Sequence, residues 1–350
     1  MKKYQFICDY SEGAHPAILQ RLAETNMCQT VGYGEDEFCD SARRAIAKRL
    51  GREDLDIHFL VGGTQTNATV ISSILEPYQG VVCADCGHIN VHETGAIEHL
   101  GHKVLALPSV SSKITPEQVD ACFADHYGDA NHEHLVQPGM LYLSLPTELG
   151  MLYSKAELKA FRAVCDKWKA PLYIDGARLG YGLVSPFCDL RIEDLPDIAD
   201  LFYIGGTKQG ALFGEALVIV NPALRKCFRY HIKQNGGMLA KGRLLGIQFG
   251  TLFTDDLYFR ISESAVNKAF RIRDAFRAAG FEMLSDSPTN QQFPILPDSL
   301  LPRFAERFGF EFWQRAGEGL SAVRFCTSWA TTDEAVEALV SFIAEVADKK

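Results

Sequence analysis

The chain has 350 residues, of which 47% are hydrophobic and 23% are charged. This balance predicts a folded globular protein and excludes an intrinsically disordered one. The formal net charge of −9 excludes a general electrostatic surface for nucleic acid or for an anionic membrane. An anionic ligand would therefore have to be bound by local cations and helix N-termini.

The start of the chain and its cysteines predict a cytoplasmic protein. Residues 1–8 lack the apolar core of a signal peptide, and no apolar run approaches the roughly 20 residues of a membrane span. The ten cysteines follow no framework spacing and are expected to be reduced thiols. Cys83 and Cys86 form a CxxC pair close to His88 and His92. No second pair follows, which favours two ordinary buried cysteines over a structural zinc site, and no metal is expected.

Helix and strand patterns alternate along most of the chain, which predicts an α/β fold with a largely parallel sheet. Helices are expected to begin at two capping boxes, at Thr115 and Ser154, and an amphipathic helix is expected after Thr332. The short apolar runs that predict strands are residues 57–61, 80–83, 104–107, 140–145, 172–174, 201–204 and 216–220.

The predicted strands are expected to form one large sheet domain that ends near residue 250. The length of the chain, too great for one ordinary core, also favours two domains. The prediction therefore divides the chain into an N-terminal segment (1–15), a large domain (16–250) and a smaller C-terminal domain (251–350).

Two of the predicted strands end in residues that can bind one cofactor. Strand 172–174 runs into Asp175, and strand 201–204 runs through two glycines and Thr207 to Lys208. Taken alone, Asp175 is more often a helix cap and Lys208 a surface lysine. Together they supply a carboxylate for a pyridinium nitrogen and an amine for an aldehyde, which are the two groups that pyridoxal 5′-phosphate (PLP) requires.

Two further stretches fit the same kind of site. Strand 57–61 runs into Gly62, Gly63 and Thr64 before a helix, a turn that can offer backbone N–H groups and a hydroxyl to a phosphate. His88 follows strand 80–83, and its imidazole could stack on a pyridine ring, although a lone histidine is more often structural. These positions predict a phosphate cup and a ring-stacking group.

The chain resembles the threonine aldolase family, in the β-eliminating lyase group of PLP enzymes. The resemblance implies the aspartate aminotransferase-like fold (PLP fold type I), with a large, mostly parallel sheet domain and a smaller C-terminal α/β domain. The motifs that carry it are Asp9-Tyr10-Ser11, Gly32-Tyr33-Gly34-Glu35-Asp36, Gly62-Gly63-Thr64-Gln65-Thr66-Asn67, His88, Asp175-Gly176-Ala177-Arg178, Thr207-Lys208 and Arg324.

The resemblance also implies a role for the residues of these motifs. Lys208 would carry PLP as a Schiff base, Asp175 would pair with the pyridine nitrogen, and His88 would stack on the ring. The remaining cofactor contacts would be those of Gly63 and Thr64 with the phosphate, of Thr207 beside Lys208, and of Arg178 near the phenolic oxygen. The substrate would contact Ser11, Arg178 and Arg324 through its carboxylate, and Tyr33 from the neighbouring subunit.

Two stretches depart from the family pattern. Leu239 follows a Gly-Gly-Met stretch where members often have an arginine that reaches the partner's phosphate, so this cofactor contact is expected from Lys241. Where many members have Thr-His-Asn, this chain has Thr147-Glu148, as in the bacterial low-specificity branch. There a histidine slightly upstream, His134 here, would lie near the site; the alternative is a loop histidine.

The predicted reaction is the cleavage of L-threonine, L-allo-threonine or similar β-hydroxy amino acids to glycine and an aldehyde. The base that takes the β-hydroxyl proton stays open among His88, His134 and a bound water. The alternatives are a β-eliminating lyase or an aminotransferase on a small amino acid, or a PLP-binding protein without catalysis. A homodimer or homotetramer with shared active sites is expected, with no nucleic-acid or membrane partner.

Overall fold

The computed structural model describes residues 3–347. Its strands are β1 (Tyr4–Gln5), β2 (Asp56–Leu60), β3 (Gln79–Ala84), β4 (Lys103–Leu107), β5 (Gln137–Ser144), β6 (Leu172–Asp175), β7 (Leu201–Gly205), β8 (Glu215–Ile219), β9 (Gln291–Gln292), β10 (Ile295–Pro297), β11 (Phe308–Gly309), β12 (Glu311–Gly317) and β13 (Leu320–Cys326). Its α-helices are α1 (Pro16–Glu24), α2 (Glu37–Leu50), α3 (Gly63–Ile74), α4 (His88–Val91), α5 (Ala96–His99), α6 (Pro116–Gly128), α7 (Lys155–Trp168), α8 (Leu179–Leu183), α9 (Phe228–Gln234), α10 (Arg243–Leu252), α11 (Leu257–Ala278), α12 (Leu301–Arg307) and α13 (Asp333–Ala347). Short 3₁₀ helices span His132–His134, Ile192–Asp197, Pro222–Leu224 and Asp298–Leu300.

A seven-stranded sheet forms the centre of the protein, in the order β2-β8-β7-β6-β5-β3-β4. Strands β3 to β7 pair in parallel, whereas β8 runs antiparallel to both β7 and β2. The carboxyl ends of β5, β6 and β7 and the amino end of β8 therefore share one edge. Ser144 lies opposite Asp175 there, and Gly205 lies opposite Glu215. The predicted α/β fold with a mostly parallel sheet is confirmed.

All seven predicted strands are present, with bounds that differ by a few residues. They were recognisable because the sheet is covered on both faces, which makes its strands continuous apolar runs. In β5, for example, Leu141 and Leu143 pack into the core on one face, and Met140 and Tyr142 pack into the core on the other. With both faces buried, a ligand can reach the strands only at their ends.

The predicted helix starts are also confirmed. Ser154 accepts a hydrogen bond from the N–H of Glu157, whose carboxylate accepts one from the N–H of Ser154, and Thr115 and Gln118 form the same reciprocal pair before α6. Thr332 accepts from the N–H of Ala335 at the start of α13. Of the helices within residues 3–347, none has the length and apolar character needed to cross a membrane.

The C-terminal part of the chain builds a smaller sheet. Strands β10, β13 and β12 pair in that order, and β9 pairs with the carboxyl end of β13. The first strand, β1, pairs in parallel with β11, and Phe6 packs in a separate core with Phe276, Phe304 and Phe325. The start of the chain thus packs against its C-terminal part, which the sequence patterns did not indicate. The domain limits near residues 15 and 250 stay a prediction.

The CxxC pair lies at the end of β3. Cys83 is buried, and Cys86 is half-buried with its Sγ 3.3 Å from the Oγ of Ser109. In the part of the chain that the structure describes, no group of three or more His, Cys, Asp or Glu side chains is placed to hold a metal ion.

Candidate active site

Two adjoining cavities open where β5, β6 and β7 end. The inner cavity, of about 320 Å³, lies over the sheet edge, and the outer cavity, of about 420 Å³, extends toward β12 and β13. The residues that line both are Tyr10, His88, Glu148, Arg178 and Lys208. The inner cavity adds Gly62, Gly63, Thr64, Asp175, Thr207 and Glu215, and the outer cavity adds His92, Trp313 and Arg324. Most residues predicted for the site therefore lie together.

Asp175 is held as a buried carboxylate by several donors. Tyr142 donates to Oδ2 at 2.6 Å, Asn67 Nδ2 donates to Oδ2 at 3.0 Å, the N–H of Ala177 donates to Oδ1 at 3.0 Å, and Tyr203 donates to Oδ1. Burial alone would raise the pKa of Asp175, but His88 and the hydrogen bonds from the tyrosines outweigh it, so the pKa lies below its usual value. The result is a fixed negative charge at the sheet edge.

Lys208 lies in the turn between β7 and β8, where its backbone carbonyl accepts a hydrogen bond from Tyr181. Burial and the neighbouring Arg178 lower the pKa of its amine, against the opposing effect of Asp9, Asp175 and Glu215. A lowered pKa increases the neutral fraction of the amine, which is the form that attacks an aldehyde.

The same turn is fastened by Glu215, the first residue of β8. Its carboxylate accepts hydrogen bonds from the N–H of Gly206 at 3.1 Å and from the hydroxyl of Thr207 at 3.0 Å. Burial raises the pKa of Glu215 to about 8, although the nearby charge of Lys208 acts in the opposite direction. Thr207 thus lies beside Lys208 as predicted, and Glu215 is a buried carboxyl that sequence analysis did not single out.

The turn after β2 forms a polar cradle at the start of α3. Gly62 caps the helix in an extended conformation (φ −173°) without a side-chain hydrogen bond to the helix N–H groups. A methyl group added at Gly62 would meet no atom within 4 Å, whereas at Gly63 it would approach the hydroxyl of Tyr203 at 3.1 Å. Thr64 is exposed beside them. Free N–H groups at a helix N-terminus are a suitable site for a phosphate.

His88 begins α4 and is oriented by a buried chain of hydrogen bonds. Its Nδ1 lies 2.7 Å from Oε1 of Glu93, which also accepts from Nδ2 of Asn67 at 2.8 Å. The same Asn67 nitrogen contacts Asp175, so the imidazole and the carboxylate are positioned by one network. With Nδ1 occupied, Nε2 is the ring nitrogen left for a ligand.

Glu148 belongs to the Thr147-Glu148 pair, which stands where many members of the family have Thr-His-Asn. Its Oε1 accepts hydrogen bonds from Ser144 Oγ at 2.6 Å and from the N–H of His88 at 3.0 Å. Burial, together with the charge of Asp175, raises its pKa above the ordinary value against the effect of these hydrogen bonds. A carboxyl group with a raised pKa in a cavity binds a proton more readily and can take part in proton transfer.

Arg178 is bound to a buried aspartate. Its Nε and Nη2 donate to Asp9 at 2.7 and 3.0 Å, and Asp9 is fully buried. Burial would lower the pKa of Arg178, but Asp9 raises it above the usual value, so the side chain is a permanent cation. Two of its three nitrogens are occupied, which leaves Nη1 for a ligand in the cavity.

Arg324 supplies a second cation at the outer cavity. Its Nη1 donates to Gln291 at 3.1 Å and its Nη2 to the carbonyl of Ile7 at 3.0 Å, while Nε is buried and has no hydrogen-bond partner among the described residues. Its guanidinium lies 5.4 Å from the ring centre of Trp313. An unpaired buried donor is costly unless a ligand satisfies it.

Three predicted residues lie outside both cavities on exposed surface. Ser11 is exposed, with its Oγ 3.2 Å from Sγ of Cys8. Tyr33 is 48% exposed in a turn with φ 62°, and its N–H donates to the carbonyl of Ala240, next to the exposed Lys241. Tyr33 and Lys241 thus occupy one surface of the chain, separate from its own Lys208.

His134 does not lie near the cavities of this chain, contrary to the expectation from the sequence. It ends the 3₁₀ helix His132–His134, just before β5 begins at Gln137, and is exposed. The site lies at the other end of this strand, at Ser144, and a strand of 8 residues spans about 25 Å. The family resemblance placed His134 near the site, but within one chain the length of β5 separates it from Thr147, and its position agrees with the alternative of a loop histidine.

Several polar contacts of the site were not predicted. Tyr142 and Tyr203 lie within strands that were recognised, and Asn67 lies within a quoted motif, but their side chains were not assigned to Asp175. A signal was available for the tyrosines, since a hydroxyl inside a fully buried strand needs a polar partner. No such signal exists for Glu93, which reaches His88 from a loop.

Comparisons with known proteins agree with this geometry. A family model described as Beta-eliminating lyase matches residues 5–297. The low specificity L-threonine aldolase of Pseudomonas aeruginosa is 29% identical over 339 residues, covering 96% of this chain and 95% of that protein. The solved structure of Leishmania major threonine aldolase is 40% identical, with a TM-score of 0.95 over 98% of this chain and 99% of that one. Thermus thermophilus aspartate aminotransferase, at 14% identity and a TM-score of 0.70 over 99% and 92% of the chains, confirms the predicted fold.

Proposed function

The chain belongs to the β-eliminating lyase family and, within it, to the threonine aldolases, and we propose that it cleaves L-threonine or L-allo-threonine to glycine and acetaldehyde with PLP as cofactor. The observation that carries the proposal is that one pair of adjoining cavities brings together Lys208, Asp175, the Gly62–Thr64 turn and Arg324. These are an amine, a buried carboxylate, a phosphate cradle and a cation.

The residues of the inner cavity fit PLP. Lys208 offers an amine with a lowered pKa, and Asp175 offers a carboxylate that stays charged for the ring nitrogen. The N–H groups at the start of α3 would hold the phosphate, and His88 would pack on the ring. When bound, PLP supplies an aldehyde for Lys208 and a ring that accepts the electron pair of the broken Cα–Cβ bond.

The outer cavity would hold the amino acid. Its carboxylate would bind the free Nε of Arg324 and Nη1 of Arg178, which is a charge-assisted contact. This contact would orient the bond between Cα and Cβ relative to the sheet edge. Glu148 would accept the proton of the β-hydroxyl group, because its pKa is raised and it lines both cavities.

The site is proposed to be completed by a second copy of the chain in a homodimer or a homotetramer. Tyr33 and Lys241 lie on one exposed surface away from the cavities of their own chain, so they would serve the partner's substrate and phosphate. The Tyr33→Phe and Lys208→Ala variants, each impaired alone, should regain part of their activity when subunits exchange, because a mixed dimer holds one site with both native residues. Proven exchange without recovery would refute the shared site.

The direct test of the reaction is to incubate the purified protein with PLP and each of the four stereoisomers of threonine. We expect equal amounts of glycine and acetaldehyde from L-threonine, L-allo-threonine or both, and neither product from the Lys208→Ala variant. Formation of 2-oxobutanoate with ammonia would instead indicate elimination, and transfer of the amino group to a keto acid would indicate an aminotransferase. Either result without acetaldehyde would refute the proposal.

A further inference from the structure

Glu215 is a buried carboxyl group that the proposed reaction does not use. It is 4% exposed and lines the inner cavity together with Lys208. Its hydrogen-bond donors are both neutral: the N–H of Gly206 and the hydroxyl of Thr207. A buried carboxylate without a cation in contact is costly, so a group in this place needs an explanation beyond the stability of the turn.

The contacts of Glu215 lie on the segment that presents Lys208. Strands β7 and β8 pair through Gly205 and Glu215, and residues 206–214 form the turn between them. The hydroxyl of Thr207 accepts from the N–H of Gly214 at 3.0 Å and donates to Glu215. The carboxyl group therefore fixes the two residues that come directly before Lys208, and its charge lies in the same cavity as the amine.

We propose that Glu215 is a positioning residue for Lys208, which fixes the turn that carries the lysine and, when it is ionised, favours a proton on its Nζ. This role rests on the proposed function, in which Lys208 bonds the aldehyde of PLP. The carboxyl group would act through the lysine and the turn that carries it.

Other charges also act on this pair. The amine of Lys208 is affected by Arg178 at the start of α8, by Asp9 of the N-terminal segment and by Asp175 of β6, and it acts in turn on His92. The charge of Glu215 also acts on Tyr173, Tyr203 and Tyr258, and burial raises the pKa of all three, so they stay neutral hydroxyls. Of the carboxylates, Asp9 is already bonded to Arg178 and Asp175 to its own donors.

The sign of the effect follows from the charges. Because its own pKa is raised to about 8, Glu215 is ionised mainly above neutral pH. Its charge then stabilises a proton on Nζ of Lys208, which raises the pKa of that nitrogen. Glu215→Gln keeps the shape of the side chain and an acceptor for Gly206, but it removes the charge. Glu215→Asp keeps the charge and shortens the side chain. The two variants therefore separate the charge of Glu215 from its packing.

The test is a pH titration of the visible absorbance of the holoenzyme, which reports whether the nitrogen bonded to PLP is protonated. We expect Glu215→Gln to lose the proton at a pH lower by about one unit or more, and Glu215→Asp to shift less than half as far. Circular dichroism would verify the fold. If the Gln variant does not fold, Glu215→Met also removes the charge, and its shift is compared with that of Glu215→Asp in the same way, although it removes the acceptor for Gly206 as well.

If the midpoint of the absorbance titration is the same in Glu215→Gln as in the wild-type protein, the proposal is overturned. Equal shifts in the Gln and Asp variants would also overturn it, because they would indicate an effect of packing alone. Failure of the proposed function would look different. The wild-type protein would then show no visible band with PLP, and borohydride reduction would leave no pyridoxyl group on Lys208.

Discussion

Tyr142→Phe removes one of the donors that keep Asp175 charged. The hydroxyl of Tyr142 donates to Oδ2 of Asp175 at 2.6 Å, and both side chains are buried. A hydrogen bond to a charged group contributes about 1.5–3 kcal/mol, so we expect the free energy of unfolding at pH 7 to fall by about that amount. Turnover should fall as well, because a less well-held carboxylate orients the ring nitrogen less firmly.

Tyr173→Phe is the matched control. Tyr173 is as deeply buried, on the neighbouring strand β6, but its hydroxyl donates to the neutral Oδ1 of Asn67 at 2.8 Å. A neutral hydrogen bond contributes about 0.5–1.5 kcal/mol, so this variant should lose less stability. Both changes remove one buried hydroxyl group, but only Tyr142→Phe removes a hydrogen bond to a charged group.

The two variants should also differ in their dependence on pH. The pKa of Asp175 in the folded protein lies below its ordinary value, so its contribution to stability is present above the unfolded pKa and is lost as pH falls through the folded pKa. Without Tyr142 the folded pKa is higher, and the contribution is smaller and is lost at a higher pH. The destabilisation by Tyr142→Phe should therefore shrink on acidification, whereas that by Tyr173→Phe should not.

Urea unfolding from about pH 7 down to about pH 3 measures this difference, since the pKa of Asp175 in the folded protein lies below the ordinary value of 3.8. The cofactor-free protein is used because a bound cofactor would add its own stabilisation. Unfolding should be followed by fluorescence and by circular dichroism, and coincident curves would justify a two-state treatment. Equal losses in both variants at every pH would refute the claim that the Tyr142 hydroxyl stabilises the charge of Asp175.

Two further predictions concern the substrate. Arg324→Ala should raise KM for L-threonine by tenfold or more, about 1.4 kcal/mol, with little change in PLP affinity. A parallel loss of PLP would indicate a structural role. Arg324→Lys should restore little of the substrate affinity, because lysine lacks the planar guanidinium group that binds a carboxylate through two nitrogens. Glu148→Gln should lower kcat by roughly 10²-fold or more. It should also remove the fall of kcat/KM at low pH, because that fall reflects protonation of Glu148, whose pKa is raised. If kcat/KM of the variant still falls at low pH, another group is responsible.

The fold could be predicted from local patterns. The strands of the large sheet are buried on both faces and so appear as apolar runs, and the capping boxes at Thr115 and Ser154 mark where helices begin. Asp175 and Lys208 were identified because each lies at or a few residues beyond the carboxyl end of a strand. In each of these cases the sequence pattern lies within a few residues of the structural feature that it predicts.

The partners of the site residues could not be predicted in this way. Arg178 pairs with Asp9, 169 positions away, and Tyr142 reaches Asp175 across neighbouring strands. Such contacts depend on which strands are neighbours in the sheet, as β5 and β6 are here, and local sequence patterns do not give that order. His134 is a different case, because the length of β5 separates it from the cavities of its own chain, and a family resemblance does not show which part of the chain spans that distance.

The charges of the site explain how a protein of net charge −9 can bind an anionic cofactor and the carboxylate of an amino acid. Three of the carboxyl groups that line the cavities have fixed donors: Asp175 has two tyrosines, Glu148 has Ser144 and Glu215 has Thr207. The fourth, Glu311 at the outer cavity, lies 3.9 Å from Nη2 of Arg324. Arg324, by contrast, keeps an unused donor. Since satisfied carboxylates repel an anion less than free ones and unused donors attract it, the bonding pattern of the cavity, and not the overall charge, determines its preference for anionic ligands.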